Sequence, residues 1–164
     1  MQRTLLIMRH GKSRWDEGDI PDKERGLAKR GKRDARRMGE ELRMRRLIPD
    51  FIVSSPAKRA RGTARRVAQK AGYLGKVVLD ERLYMGDLES HLAVLRELPD
   101  RAKTVLLVGH NPALEHLVSF FAQRLLPMPT AALACFVLQL DSWAWIGENA
   151  KVELQAHLLP KELF

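Results

Sequence analysis

Three short apolar runs in this 164-residue chain each stop at polar residues able to carry chemistry, and this constrains the fold more than any other feature. Thr4 to Met8 ends at Arg9, His10 and Gly11, Phe51 to Val53 at Ser54, Ser55 and Pro56, and Thr104 to Val108 at Gly109, His110 and Asn111. Such runs, bounded by turn residues, read as buried strands. Helical patterns lie between them. From about Leu27 to Leu47 the apolar residues Leu27, Ala35, Met38 and Leu42 share one side, with Lys29, Arg30, Lys32, Arg33, Arg36 and Arg37 around the rest, until Pro49 breaks the pattern. A second helix begins at Ser54 to Pro56, turns Ala57, Ala60, Ala64, Val67, Ala68 and Ala71 inward and stops at Gly72.

Further along, Val77 to Leu79 predicts a weak strand, and Glu89 to Leu98 a short helix ended by Pro99. Pro112 opens a helix running to about Leu126, with Leu114, Leu117, Val118, Phe121 and Leu125 as its stripe. Ala134 to Leu140 and Val152 to Ala156 predict a late antiparallel pair. The alternation predicts a single three-layer α/β/α domain over residues 1–164, with a mostly parallel central sheet covered by helices on both faces. One cysteine, Cys135, excludes an internal disulfide framework and points to a reducing, cytoplasmic setting, with the thiol inert in an apolar strand. No run approaches the roughly 18 apolar residues that would span a bilayer, and the N-terminus carries no secretory leader pattern.

In open sheets of this class ligands sit beyond the carboxyl ends of the strands. If the three strands run parallel, Arg9, His10, Ser54, Ser55, Gly109, His110 and Asn111 converge there, joined by Arg59 from the first turn after Ser55. Two guanidiniums, two imidazoles and helix starts make an anion site, and a phosphoryl group fits it, because guanidiniums fork onto phosphate oxygens and helix starts add free amide donors. Histidine adds chemistry that a plain anion site lacks: a neutral imidazole can attack phosphorus and carry the group covalently. Gly11 beside His10 leaves room for a close backbone approach. The arginines stabilise the equatorial oxygens, a role that otherwise falls to a metal; no metal site is evident.

Arg9-His10-Gly11 after an N-terminal strand, Ser54-Ser55-Pro56-Ala57-Lys58-Arg59-Ala60, and Gly109-His110-Asn111 together resemble the histidine phosphatase superfamily over essentially the whole chain. The short length, the segment Gly31 to Gly39, Pro129 to Ala132 and the terminal Pro160-Lys161 are similar to its SixA-like phosphohistidine phosphatase branch. That resemblance implies a phosphoglycerate-mutase-like fold, a two-step reaction through phospho-His10, and no cofactor. Arg9, Arg59 and His110 would bracket the phosphoryl group, with Gly11, Ser13, Gly109 and Asn111 binding phosphate or supporting the loops.

One departure bears on substrate. Phosphomonoesterases and mutases of the superfamily generally carry a Glu in a Leu-Arg-Glu-like segment to protonate the leaving alkoxide, and here the comparable segment is Leu83-Tyr84-Met85. Glu81, Asp87 and Glu89 are the nearby carboxylates that could substitute. An imidazole leaves a phosphohistidine with far less help, so the gap favours a phosphoramidate substrate. With Arg59 and His110 only 51 positions apart, there is little room for a long lid, and an open site would admit a phosphorylated protein. A small phosphorylated substrate, turned over by a broad acid phosphatase, and a non-catalytic module that binds phosphoproteins are the alternatives.

The net charge is +9 and the pI about 10.1. From Lys23 to Arg66 there are 16 basic and 5 acidic residues, which leaves the remainder slightly acidic. The basic helix face from Lys29 to Arg46 reads as solvated surface or as a docking patch for an acidic partner. Nucleic acid is the weakest reading, since no zinc finger, helix-turn-helix or RNA-binding aromatic motif is present. His91, His116 and His157 read as structural or surface residues. The spacing of Trp143 and Trp145 predicts one packed and one turn-borne ring. Oligomeric state is open.

Overall fold

The computed structural model describes residues 1–147 and 149–164. Six strands form one sheet in the order β3-β2-β4-β1-β5-β6. They are β1 (Gln2–Arg9), β2 (Phe51–Ser54), β3 (Val77–Leu79), β4 (Thr104–Gly109), β5 (Leu133–Gln139) and β6 (Lys151–Leu158). The pairs β3/β2, β2/β4 and β4/β1 are parallel, and β1/β5 and β5/β6 antiparallel. The helices are α1 (Lys29–Met44), α2 (Lys58–Ala71), α3 (Arg82–Met85), α4 (Leu88–Arg96), α5 (Ala113–Ala122) and α6 (Pro160–Leu163).

Strand order explains the layering. The chain moves outward from β1 to β2 to β3, then jumps back so that β4 inserts between β2 and β1. Right-handed crossovers put connections of opposite direction on opposite faces. Accordingly α1 and α2 pack with Leu6, Met8, Ile52, Leu106 and Val108 on one face. Helices α4 and α5 pack with the alternate residues Leu5, Ile7, Val53, Val105 and Leu107 on the other. The reversal in order falls beside β1 and β4, so the crevice for a ligand opens at the ends of β1, β2 and β4.

Several expectations need adjusting. The first helix begins two residues after Leu27, which instead bridges to Ser13 in the preceding loop. The short α3 breaks no strong sequence pattern and was not expected. Helix α5 stops at Ala122, where Gln123 adopts a left-handed φ of 56°, so the stripe loses Leu125, which is 90% exposed. Trp143 is buried and Trp145 exposed, as the spacing predicts, but on a 3-10 turn. Cys135 lies in the core on β5, where burial pushes its thiol up to about 11. Among the described residues no helix is long and apolar enough to cross a membrane, and no group of three His, Cys, Asp or Glu side chains could hold a metal ion.

One packing contact ties α1 to the crevice. The Gly31 backbone of α1 presses on the loop after β1, such that a Cβ on Gly31 would meet the Lys12 carbonyl oxygen at 2.1 Å and one on Gly11 would meet the Gly31 carbonyl oxygen at 2.7 Å. The close approach expected at Gly11 is therefore made by a helix. Gly31→Ala should destabilise the protein by about 1–3 kcal/mol, the usual range for overpacking, measured by urea unfolding, and should displace the 10–12 backbone.

Candidate active site

His10 and His110 stand side by side at the ends of β1 and β4, ring centroids 5.1 Å apart, 6% and 8% exposed. The backbone holds them there. The parallel ladder sets Arg9 opposite Gly109, the His10 N–H donates to the Gly109 carbonyl (3.1 Å), and the Ala131 N–H donates to the His10 carbonyl (2.9 Å). Ser55 at the end of β2 is joined by its own N–H to the Val108 carbonyl at 3.0 Å. Its hydroxyl lies 2.7 Å from His110 Nε2, setting that ring's orientation.

His10 Nδ1 is 2.7 Å from the Gly11 carbonyl oxygen. A carbonyl can only accept, so Nδ1 carries the proton and Nε2 keeps its lone pair. Gly11 is itself pinned: its N–H donates to Thr63 Oγ1 (3.0 Å), whose hydroxyl donates to the Arg59 carbonyl (2.8 Å). Burial first, then the fields of Arg59, Arg9 and Arg25, pull the His10 pKa down to about 4 against the Gly11 hydrogen bond. Burial, His10 and Arg59 bring His110 down to about 3, opposed by Asp22. Both imidazoles are thus neutral near pH 7, and the pocket between them is cationic through its arginines.

Arg9 reaches back to the Met128 carbonyl through Nη1 at 3.2 Å, with Glu115 supplying an opposing charge while burial lowers its pKa. Asn111 Nδ2 donates to the same carbonyl (2.8 Å) and to Glu115 Oε1 (3.1 Å), which clamps the loop after β4 to the 128–131 segment. Arg59 grips Asp22 through its carbonyl (2.7 Å) and Oδ2 (2.9 Å). The buried Nε atoms of Arg9, Arg25 and Arg59 have no hydrogen-bond partner. Three guanidiniums with donors to spare around two neutral imidazoles suit an oxyanion with several acceptor oxygens.

A scan of family models matches residues 5–92 to the histidine phosphatase superfamily (branch 1). The chain belongs to that superfamily. Relatives include an uncharacterised chloroplastic protein of Arabidopsis thaliana, 28% identical over 153 residues (87% of this chain, 70% of that one). An uncharacterised protein of Mycobacterium tuberculosis H37Rv is 34% identical over 115 residues, 70% of each chain. Phosphoglycerate mutase 1 of Saccharomyces cerevisiae is 35% identical over 114 residues, 65% of this chain but 42% of the mutase. A solved structure of a proposed phosphohistidine phosphatase SixA from Nakamurella multipartitia superposes at a TM-score of 0.86 with 27% identity, covering 98% of this chain and 97% of that one. The histidine phosphatase SixA complexed with tungstate matches at 0.82 and 24% identity over the full length of both, a likeness of fold.

As a histidine phosphatase the chain is an enzyme with the phosphoglycerate-mutase-like α/β fold. Its site differs in detail from the sequence expectations. Arg9, His10, Arg59 and His110 come together with Gly109, and Asn111 braces their loops. The Gly11 N–H is engaged by Thr63, and the Ser13 hydroxyl accepts a hydrogen bond from Arg25 Nη1. The three carboxylates considered as acids point elsewhere: Glu81 pairs with Lys23 (2.7 Å), Asp87 caps α4 through the Ser90 N–H (2.9 Å), and Glu89 pairs with Arg96 (3.4 Å). While Glu115 faces Arg9, Asp22 is the carboxylate whose charge acts on His110. Hydrogen bonds from Tyr84 (2.7 Å) and from Arg59 and Arg25 hold it ionised, far below the usual carboxylate range. Tyr84, from the segment lacking the expected Glu, lies edge-on to His110 with ring centroids 5.5 Å apart.

Sequence reasoning missed Arg25, Asp22, Thr63 and Tyr84. Only Tyr84 carried a signal, its place in the segment where a Glu was sought.

Because kcat/KM reports ionisations of the free enzyme, its acid limb should bend near pH 4, not at the 6.5 of an ordinary imidazole. Activity should stay flat from pH 8 down to about 5.5, measured as kcat/KM on a substrate whose own ionisation is corrected for.

Proposed function

We propose that this chain hydrolyses protein phosphohistidine through a phosphoryl-enzyme intermediate on His10 Nε2. What carries the reading is the state of the carboxylate that acts on His110: Asp22 is locked as an anion by Arg59, Arg25 and Tyr84. It has no proton to give a leaving alkoxide, which expels poorly unprotonated, whereas an imidazole bearing its second ring proton departs as a neutral base. Similarity to the SixA-type structure supports the same substrate class.

In the first step the substrate phosphoryl group settles among Arg9, Arg59 and Arg25, which neutralise its oxygens. The His10 Nε2 lone pair attacks phosphorus in line with the substrate P–N bond, and that bond's electron pair returns to the departing imidazole. The Nδ1–H···O=C bond to Gly11 stabilises the cationic ring formed on His10. In the second step water attacks phosphorus, the P–Nε2 bond breaks with its pair returning to His10, and the water proton leaves with inorganic phosphate. Neutral His110 and the arginines steady the equatorial charge through both transfers. Catalysis in a cytoplasmic setting on a phosphorylated partner protein completes the reading.

Incubation with a labelled phosphohistidine protein should give an acid-labile, base-stable phosphoenzyme that vanishes in His10→Ala, with kcat/KM for the phosphohistidine protein at least about a hundredfold above that for a simple phosphomonoester. Preference for the ester would refute the substrate assignment. A wild type forming no adduct under rapid quench would refute the covalent route. For Asp22→Asn the account expects weakened positioning of Arg59 and a fall in kcat of about tenfold or more, without a shift of the acid limb.

A further inference from the structure

A second concentration of positive charge lies on the outer face of α2, away from the histidine pair. A cleft of about 250 Å³ runs between that face, the start of α1 and the loop before it. Lys32 from α1 and Lys58, Arg61, Arg65 and Arg66 from α2 converge on it. Among the described residues none of these five has a carboxylate within ion-pair distance. Arg14, also at the rim, is paired with Asp16, and the one acid of the lining, Glu17, accepts from the Gly26 N–H at 2.8 Å.

Arg61 and Arg66 are half-buried at the cleft, while Lys32, Lys58 and Arg65 reach it from exposed positions. Lys58 lies across Gly26, its Cε 3.5 Å from where a Cβ would stand. Arg66 folds back to donate to the Gly62 carbonyl at 3.1 Å, while its buried Nε has no partner. Burial, then the field of Arg36, lowers the Arg66 pKa. Five like charges are thus gathered around one concave floor, with no carboxylate paired to them among the described residues. Such an arrangement stores repulsion that an anion relieves.

We infer that the cleft between α2 and the 14–27 loop is a binding site for clustered phosphates, of the kind carried by inorganic tripolyphosphate or a nucleoside triphosphate. Its volume is too small for a protein element and suits two or three linked phosphoryl groups, whose charge of about −4 to −5 near neutral pH matches the five unpaired cations. The bound anion would join the loop that carries Asp22 and Arg25 to the helix that carries Arg59, and so would stiffen the wall of the catalytic pocket from behind. This site does not depend on which phosphorylated substrate the histidines process.

Calorimetric titration with tripolyphosphate and with ATP tests it. Wild type should bind tripolyphosphate, more weakly as salt rises, and Arg9→Ala should bind it within about twofold of wild type. Arg61→Ala/Arg65→Ala should bind at least about tenfold more weakly while its melting temperature holds or rises, since repulsion is removed. ATP binding more tightly than tripolyphosphate would identify a nucleotide as the occupant, and equal binding a free oligophosphate. Undiminished affinity in the double variant, loss of binding in Arg9→Ala, or tighter binding of a 20-base-pair DNA duplex than of either ligand would overturn the assignment.

Discussion

A single hydrogen bond, from His10 Nδ1 to the Gly11 carbonyl, decides what the pocket can do. It fixes the tautomer that leaves Nε2 free, and it keeps an imidazole in place where three neighbouring guanidiniums and burial both oppose its protonation. The bond holds only if Gly11 holds. Thr63 of α2 takes the Gly11 N–H, and Gly31 of α1 presses on the same stretch of backbone from the other side. Both helices of one layer thus terminate their packing on the residue that orients His10. A side chain at Gly31 would be felt there before it was felt anywhere else in the core.

The strand-end residues were legible in advance because they follow from two periodic facts: apolar runs that stop, and alternation that makes those runs parallel. Arg9, His10, Arg59 and His110 meet for that reason. The residues that escaped, Asp22 and Arg25, lie in the irregular segment between β1 and α1, where no period assigns a direction to a side chain. Sequence distance alone singles out Glu81, Asp87 and Glu89 as acids. The turn through Gly86 sends Asp87 to cap α4, Lys23 from the loop before α1 claims Glu81, and Arg96 on the same helix claims Glu89. The early end of α5 had no Gly or Pro signal before Pro127, since the left-handed residue there is Gln123.

The excess of positive charge divides by geometry. Arg9, Arg25 and Arg59 surround His10, two of them tied to Asp22, and form the pocket proposed for the phosphoryl group. Another set gathers on the outer face of α2 without ion-pair partners among the described residues, and the other basic residues of α1 lie on its exposed face. Net charge alone distinguishes none of these groups. Their separation comes from the 100° step of a helix, which places Arg59 and Arg61 on different sides of α2 although two positions apart.

The central claim is that His10 is a neutral imidazole with its proton on Nδ1 in the free protein. Long-range 15N–1H NMR of histidine-labelled protein, titrated from pH 8 to 4, reads this directly. The account predicts an Nδ1–H tautomer whose nitrogen shifts stay constant down to about pH 5 and move only near 4. An Nε2–H tautomer, or a midpoint at or above the ordinary 6.5, would contradict it.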